Sequence, residues 1–190
     1  LSCLARLIKN GWHVTPVSDE LVKVESPDGV SIICRTTIGL DFGQLVEIFL
    51  DRTYECNCSL RNVIDIGMNI GDSSIYFAKM GAKKVIGIEP DKRNYDLAIK
   101  NIIDSKVEAQ VIPINKAVSN DDRVELKIYD NFPNSNSLAQ YDTVPVIDFS
   151  HTETVEGIKL ENVVDMFNGE EIDLLKIDCE GCEYEIMGRL

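Results

Sequence analysis

The first 60 residues combine two helical patterns with one alternating pattern. Apolar positions at helical spacing predict a helix over 1–10 and a second helix over 41–50, with Asp41 as the N-cap of the second. Between them, two short alternating segments flank a Ser-Pro-Asp-Gly turn and predict a β-hairpin over 22–35. We expect residues 1–60, as an N-terminal helix, a hairpin and a cap helix, to pack on the rest of the chain.

From residue 61 onward, short apolar runs alternate with amphipathic helices, which is typical of βαβ units around a parallel sheet. The apolar runs predict four parallel strands, at 63–66, 84–89, 110–114 and 172–178. Helical spacing predicts helices over 73–80 and 95–103, between the first three strands. The pattern therefore predicts an α/β fold of the nucleotide-binding type, with helices on both faces of the sheet.

Residues 121–160 interrupt this alternation of strands and helices. Extended patterns at 123–129, 143–149 and 154–160 surround a stretch rich in Asn, Ser and Pro. We therefore expect a β-rich insertion inside a domain that spans 61–190. Because the chain stops soon after the fourth parallel strand, we also expect this domain to be truncated at its C-terminus.

Composition and charge narrow the class of protein. The 190 residues are 44% hydrophobic and 27% charged, which is ordinary for a globular protein and excludes wholly disordered and collagen-like chains. Acidic residues outnumber basic ones, 32 to 19, and most of the excess lies in residues 121–190. No segment clusters Lys or Arg, and no apolar run is long enough to span a bilayer. We therefore expect no nucleic-acid partner, no membrane partner and a cytoplasmic location.

Six cysteines include two closely spaced pairs, Cys56 with Cys58 and Cys179 with Cys182. Four thiolates with these spacings could hold a zinc ion. However, the first pair precedes a predicted strand and the second pair follows one, which places the two pairs at opposite ends of the sheet. We therefore expect reduced thiols rather than a shared zinc site.

The strongest local motif is the glycine-rich turn after the first parallel strand, Asp65-Ile66-Gly67-Met68-Asn69-Ile70-Gly71-Asp72. Glycines in such a turn let the backbone bend sharply and let a ligand approach it closely. Glu89 ends the next strand, where an acidic side chain can accept the hydroxyls of a ribose. These residues indicate a site for an adenosine-containing cofactor, although Asp65 could instead cap amides of its own turn.

The same turn distinguishes between two classes of cofactor. A dinucleotide fingerprint that starts at Gly67 needs further glycines where this chain has Asn69 and Asp72. The carboxylate of Asp72 would also compete with a pyrophosphate for the positive end of the helix dipole. S-adenosylmethionine carries a sulfonium cation and no phosphate, so the charges favour it over NAD.

Three blocks of sequence resemble the FkbM family of class I S-adenosylmethionine-dependent methyltransferases. The blocks are 63–71, 87–90 and 173–183, and the third, Asp-Leu-Leu-Lys-Ile-Asp-Cys-Glu-Gly-Cys-Glu, is the most specific. The resemblance runs from about residue 41 to the C-terminus. It implies the Rossmann-like sheet of that class and a methyl transfer from S-adenosylmethionine to an oxygen of a sugar, polyketide or other small metabolite.

The resemblance also implies roles for individual residues. The cofactor would be held by the glycine-rich turn and two strand ends: Asp65, Gly67, Asn69 and Gly71 at the methionine portion, Glu89 at the ribose, and Asn115 with Lys116 and Ala117 beside the adenine. Asp178 and Glu180, at the end of the fourth parallel strand, would face the transferred methyl group.

Methyl transfer to oxygen requires an aligned acceptor and a base for its proton, and a carboxylate of Asp178 or Glu180 can supply the base. Lys176 shares a strand face with Asp178 and would pair with an acid or orient an anionic group of the substrate. Asp178 and Glu180 could instead form a solvated acidic face. They could also bind a divalent metal, but no third acid is clearly placed to complete the ligand set, so we expect no metal site. Two other functions remain open: a non-catalytic cofactor-binding module and an NAD-dependent oxidoreductase.

Overall fold

The computed structural model describes most of the chain. The described residues are 2–36, 40–57, 59–130, 137–138, 150–179 and 182–187. The strand expected at 143–149 and the candidate base Glu180 lie outside these ranges.

The N-terminal part consists of a helix and a three-stranded antiparallel sheet. Helix α1 spans Cys3–Lys9, and the strands, in sheet order, are β1 (His13–Pro16), β2 (Leu21–Glu25) and β3 (Ser31–Arg35). Strands β2 and β3 form the predicted hairpin, with Leu21 opposite Arg35. The sequence pattern does not predict β1, because most of its residues are exposed and carry no apolar alternation.

Helix α2 spans Leu40–Leu45 and continues as a π-helical turn over Val46–Leu50. The predicted helix is therefore present, but the prediction that Asp41 is its N-cap is wrong. Asp41 lies inside the first turn, where its buried carboxylate accepts two hydrogen bonds from the guanidinium of Arg35. Such bidentate, charge-assisted bonds are stronger than the single amide bond that an N-cap accepts.

Four parallel strands form the central sheet in the order β11-β4-β5-β6. They are β4 (Asn62–Ile66), β5 (Lys84–Ile88), β6 (Val111–Ile114) and β11 (Leu174–Ile177). Helix α3 (Asp72–Lys79) follows β4, and helix α4 (Lys92–Asp104) follows β5. The α/β fold with these parallel strands is confirmed, and the strands lie close to their predicted bounds.

The predicted β-rich insertion is also confirmed and forms a second sheet in the order β7-β10-β8-β9. Its strands are β7 (Ala117–Val118), β8 (Arg123–Ile128), β9 (Ser137–Leu138) and β10 (His151–Ile158). The strand predicted over 154–160 ends at Ile158, and helix α5 (Leu160–Asp165) begins directly after it. Helix α6 (Cys182–Met187) follows β11. Within the described ranges, none of the helices has the length and apolar character needed to cross a bilayer.

Side chains of the parallel strands alternate between two hydrophobic clusters, one on each face of the sheet. Val63 and Val85 belong to the cluster that contains the N-terminal elements, α3 and α4. Ile64, Ile66 and Ile88 belong to the cluster that contains β7, β8, α5 and α6. Because these clusters cover both faces of the sheet, the polar side chains that a ligand can reach lie at the carboxyl ends of the strands.

Candidate active site

An open cleft of about 340 Å³ lies at the carboxyl ends of β4 and β11. The lining residues come from five places: α2 with its π-helical turn, the loop after it, the turn between β4 and α3, the start of α3, and the end of β11. They are Gln44, Glu47, Ile48, Tyr54, Gly67, Asn69, Asp72, Ser73, Lys176 and Asp178. Four of the residues predicted to form the site are among them, namely Gly67, Asn69, Lys176 and Asp178.

The turn between β4 and α3 has a left-handed backbone at three positions, with φ of 80° at Gly67, 47° at Asn69 and 86° at Gly71. Glycine adopts this region without strain, and asparagine tolerates it better than most residues. At Gly67 the space is also restricted, since a Cβ atom would overlap the carbonyl oxygen of Asp178. The absence of a side chain at Gly67 therefore lets the turn lie directly against the end of β11.

Asp65 lies on β4, and its side chain is fully buried. One carboxylate oxygen, Oδ2, accepts hydrogen bonds of 2.6 Å from the hydroxyls of both Ser73 and Ser74 at the start of α3. The other oxygen, Oδ1, is 2.9 Å from the ammonium nitrogen of Lys176. Asp65 thus connects β4 to α3 and β11, and it is not among the residues that line the cleft.

Lys176 is buried at the centre of this ion-pair network. Its Nζ atom donates a 2.9 Å hydrogen bond to the carbonyl oxygen of Gly67 and lies 3.6 Å from Oδ2 of Asp178, so Asp65 is its nearer carboxylate. Burial alone would lower the pKa of Lys176, but the charges of the two carboxylates outweigh burial and raise it. Lys176 therefore stays protonated, so it can orient acids and hold the turn but is not available as a base.

Tyr54 lies beside Asp178 in the same cleft. Its hydroxyl donates a 3.3 Å hydrogen bond to Oδ2 of Asp178, and its ring centre is 5.8 Å from Nζ of Lys176. Burial raises the pKa of Tyr54, so the phenol remains a hydrogen-bond donor. No motif of the sequence marks this residue, and the one available signal is an aromatic side chain in the polar loop that precedes β4.

Glu89, at the end of β5, holds the backbone around the glycine-rich turn. Its Oε2 atom accepts a 3.0 Å hydrogen bond from the amide of Asn69, and its Oε1 atom accepts a 2.9 Å bond from the amide of Asp91. Burial raises the pKa of Glu89 to about 7. The side-chain amide of Asn115 donates to the carbonyl oxygens of Glu89 and Pro90. These bonds join the ends of β4, β5 and β6, although neither Glu89 nor Asn115 lines the cleft itself.

Two other predicted residues, Gly71 and Ala117, also lie away from the lining of the cleft. Gly71 precedes α3 and packs against α4, where an added Cβ atom would be 3.2 Å from the Cβ of Ala98. Ala117 pairs with Gly157 in the second sheet, and its side chain is buried in the hydrophobic cluster on that face. The structure therefore places Gly71 in a packing contact and Ala117 in a strand of the insertion.

Two acceptor atoms at the cleft have no hydrogen-bond partner among the described residues. Asp72 is only 2% exposed; its Oδ1 atom accepts the amide of Ser73, but its Oδ2 atom is unpaired. The Oδ1 atom of Asn69 is also unpaired, while its Nδ2 donates to Gln44. Because unpaired buried acceptors are costly, the cleft fits a ligand that brings donors or positive charge. The ammonium and sulfonium groups of S-adenosylmethionine meet this requirement, and a pyrophosphate does not.

Asp72 also predicts an unusual dependence of stability on pH. Burial raises its pKa to about 7 in the folded protein, against about 4 in the unfolded chain, so the folded state binds more protons between these values. The cost of burying the Asp72 carboxylate is absent below about pH 4, grows between about pH 4 and 7, and is constant above about pH 7, where the group is ionised in both states. We expect the Asp72→Asn variant to gain on the order of 4 kcal/mol in unfolding free energy, relative to the unsubstituted protein, between pH 4 and 8. Urea denaturation of both proteins across this range measures the difference, and a difference that does not change with pH would contradict the prediction.

A family model of the FkbM methyltransferase domain matches residues 65–189. The chain belongs to this family. The matched range begins at Asp65 and contains the glycine-rich turn, Glu89, Lys176 and Asp178, so the chain is an FkbM methyltransferase domain by sequence. No curated protein sequence matches it significantly.

Solved structures that resemble this FkbM domain match only part of it. A SAM-dependent methyltransferase from Agrobacterium tumefaciens is 21% identical over 53% of this chain and 34% of its own, with a TM-score of 0.41. The tRNA m1G37 methyltransferase of M. jannaschii is 25% identical over 50% of this chain and 29% of its own, with a TM-score of 0.36. The FkbM domain thus spans about a third of the length of these proteins. Both TM-scores are low, so the matches carry no argument about its substrate.

Three of the described cysteines are disulfide-bonded, whereas the sequence predicts reduced thiols. Cys179 and Cys182 form a disulfide between the end of β11 and the start of α6, and Cys56 is also disulfide-bonded. Cys3 and Cys34 are free. Within the described ranges, Cys179, Cys182 and Glu183 are the one group of potential metal ligands close together, but disulfide sulfurs provide no thiolates.

Proposed function

We propose that this FkbM domain catalyses S-adenosylmethionine-dependent methylation of a hydroxyl group on a small molecule or sugar. The observation that carries the proposal is the pair of unpaired acceptors, Oδ2 of Asp72 and Oδ1 of Asn69, in a cleft beside the glycine-rich turn. The cation that lines this cleft, Lys176, is already bound to Asp65 and to the carbonyl of Gly67. A cationic cofactor therefore suits the cleft better than the pyrophosphate of NAD.

In this proposal the cofactor supplies an electrophilic methyl group on a sulfonium sulfur. The turn around Gly67 and Asn69 would hold its methionine portion, and Asp65 and Gly71 would maintain the shape of that turn. Glu89 would accept the ribose hydroxyls with the acceptor capacity that remains after its bonds to the amides of Asn69 and Asp91 and to the side chain of Asn94. Asn115 and Ala117 would flank the adenine.

Asp178 is the candidate general base within the described residues. Its side chain is 66% exposed at the cleft, so a substrate hydroxyl can reach it. The hydroxyl of Tyr54 and the ammonium of Lys176, both near Oδ2, would orient the carboxylate. The carboxylate would take the acceptor's proton while the acceptor oxygen bonds to the methyl carbon and the bond from that carbon to the sulfonium sulfur breaks, which would leave S-adenosylhomocysteine as the neutral product. Water would then carry the proton away. Glu180 is the second candidate for this role.

The charge of the cleft limits the acceptor that it can take. Glu47, Asp72 and Asp178 all line it, and the protein as a whole is acidic. A nucleic acid or an anionic membrane would be repelled from such a surface. We therefore propose a neutral or cationic hydroxylated acceptor and no nucleic-acid or membrane partner.

Calorimetry tests the class of cofactor. We expect S-adenosylhomocysteine, the reaction product, to bind to the protein, and NAD not to bind at the same concentrations. A screen for methyl transfer from labelled S-adenosylmethionine to sugars and hydroxylated metabolites then tests the reaction. Binding of NAD without binding of S-adenosylhomocysteine would contradict the proposal and favour an oxidoreductase.

The Asp178→Asn variant tests the proposed base. Asparagine keeps the size of the side chain and an acceptor oxygen for Tyr54 but removes the proton acceptor, so we expect the methyl-transfer rate to fall by about 100-fold or more. The affinity for S-adenosylhomocysteine should change less than about threefold, because Asp178 acts on the acceptor.

Asp96→Asn is the matched control, since it removes an exposed carboxylate that pairs with Lys92 on α4, away from the lining of the cleft. This control should retain full activity. Methyl transfer that persists at its normal rate in Asp178→Asn would exclude Asp178 as the base.

A further inference from the structure

We propose that Asp72 binds the ammonium group of the cofactor's amino-acid portion, with Asn69 as the second acceptor. This inference rests on the proposed function and assigns a specificity-determining residue within its site. The glycine-rich motif by itself directs attention to Asp65, the acid at the end of β4. The contacts of Asp65 and Asp72 show that the two carboxylates differ in how far they are available to a ligand.

Asp65 is not available to a ligand at the cleft. Its Oδ2 atom accepts two hydroxyl groups at 2.6 Å, and its Oδ1 atom is 2.9 Å from Nζ of Lys176. Its side chain is fully buried, and it does not line the cleft. The charge of Asp65 is therefore compensated inside the protein, and its function in this structure is to hold the strand ends and α3 together.

Asp72, in contrast to Asp65, is available to a ligand at the cleft. Its side chain is 2% exposed and lines the cleft, and one carboxylate oxygen has no hydrogen-bond partner among the described residues. A carboxylate oxygen accepts hydrogen bonds only, so this atom needs a donor. The Oδ1 atom of Asn69, which lines the same cleft, needs a donor as well. An ammonium group carries three donors and a positive charge, and it can satisfy both atoms at once.

The charges around Asp72 are consistent with this role. Lys176 on β11 favours the ionised form of Asp72, while Asp41 on α2 and Asp65 on β4 oppose it, and the amide of Ser73 donates to it. Burial is the largest influence and raises the pKa of Asp72 to about 7 without a ligand. A bound ammonium would stabilise the ionised form, so binding near pH 7 should release a proton from Asp72.

The test compares two probes that differ only in the amino-acid portion. S-adenosylhomocysteine carries the ammonium group, whereas 5′-methylthioadenosine has the same adenosine and thioether without it. At pH 8 we expect Asp72→Asn to weaken binding of S-adenosylhomocysteine by about 10- to 100-fold, which is the usual effect of losing a charge-assisted hydrogen bond. Binding of 5′-methylthioadenosine should change less than about twofold.

The control is Glu108→Gln, which removes an exposed carboxylate from the turn before β6, away from the lining of the cleft. It should change the affinity for either probe less than about threefold, because an exposed charge is screened by water. An equal loss of affinity in Glu108→Gln and Asp72→Asn would show that only the overall negative charge of the protein matters, and it would overturn the assignment.

A second measurement needs no variant. Titration of the protein near pH 7, in two buffers with different enthalpies of ionisation, gives the number of protons released on binding. We expect S-adenosylhomocysteine to release about half a proton, because a group with a pKa near the working pH is about half protonated, and 5′-methylthioadenosine to release almost none. Equal proton release by the two probes would refute the inference. If the protein bound neither S-adenosylhomocysteine nor 5′-methylthioadenosine, both the proposed function and this inference would fail. If Asp72→Asn and the unsubstituted protein bound S-adenosylhomocysteine equally well, only this inference would be refuted.

Discussion

Replacing Gly67 with alanine should lower the free energy of unfolding by about 3 kcal/mol or more. A left-handed residue with a side chain costs about 1–2 kcal/mol, and overpacking at a rigid contact adds about 1–3 kcal/mol. Both penalties apply, because Gly67 has a φ of 80° and an added Cβ atom would overlap the carbonyl oxygen of Asp178. Since that backbone carries the proposed base, we also expect the affinity for S-adenosylhomocysteine and the methyl-transfer rate to fall.

Gly169→Ala is the matched control for this substitution. Gly169 has nearly the same φ, 81°, but no described atom lies within 4 Å of an added Cβ. The control should therefore show the backbone penalty alone, about 1 kcal/mol, with unchanged binding of S-adenosylhomocysteine. Urea denaturation and calorimetry on both variants measure the two effects. Equal losses of stability at the two positions would show that the contact between Gly67 and β11 is unimportant.

Replacing Lys176 with methionine should lower the free energy of unfolding by about 3–5 kcal/mol. Methionine is similar in length and fills the same space, but it leaves the fully buried carboxylate of Asp65 without its cation. Removal of one partner from a buried ion pair has a cost of this size, because the remaining charge stays desolvated. The variant also loses the hydrogen bond to the carbonyl of Gly67, so binding of S-adenosylhomocysteine should weaken as well.

Two further variants separate the ion pair from other effects at Lys176. Lys92→Met removes an exposed lysine that pairs with Asp96 on α4, and it should cost less than about 0.5 kcal/mol. The double variant Asp65→Asn with Lys176→Met removes both charges, so we expect it to be more stable than Lys176→Met alone. Urea denaturation of the unsubstituted protein, Asp65→Asn, Lys176→Met and the double variant gives the coupling energy between Asp65 and Lys176. A coupling energy near zero would mean that the pair does not stabilise the fold.

Elements whose stability depends on burial in regular patterns are the ones that the sequence predicts well. The parallel strands are short apolar runs, and the hairpin of β2 and β3 has a turn motif between alternating segments, so both appear close to their predicted bounds. Strand β1 and the end of β10 were less predictable. Residues of β1 are mostly exposed, and the apolar positions around Leu160 suit either a strand or the first turn of α5.

Predictions about single polar side chains were less successful, because their partners come from distant parts of the chain. Asp41 has the local features of an N-cap, yet it binds Arg35 on β3. Cys179 and Cys182 are expected as thiols from composition alone, and the fold of the loop between β11 and α6 brings them into a disulfide. In both cases the competing interaction is a tertiary one that local spacing does not describe.

The sequence by itself determined the class of fold, the glycine-rich turn and the family of this protein, because these depend on local spacing of apolar residues, glycines and acids. Only the tertiary structure decided that the carboxylate of Asp65 pairs with a lysine inside the protein and that the carboxylate of Asp72 lines the cleft. In the central sheet β11 lies next to β4 with Lys176 opposite Asp65, so the lysine neutralises an acid that is more than 100 residues away in sequence. That pairing leaves Asp72, seven residues after Asp65, as the buried carboxylate with an unpaired oxygen at the cleft. The physical reason is that a buried charge must be compensated by whatever group the fold brings near it, and strand order is not encoded in local spacing.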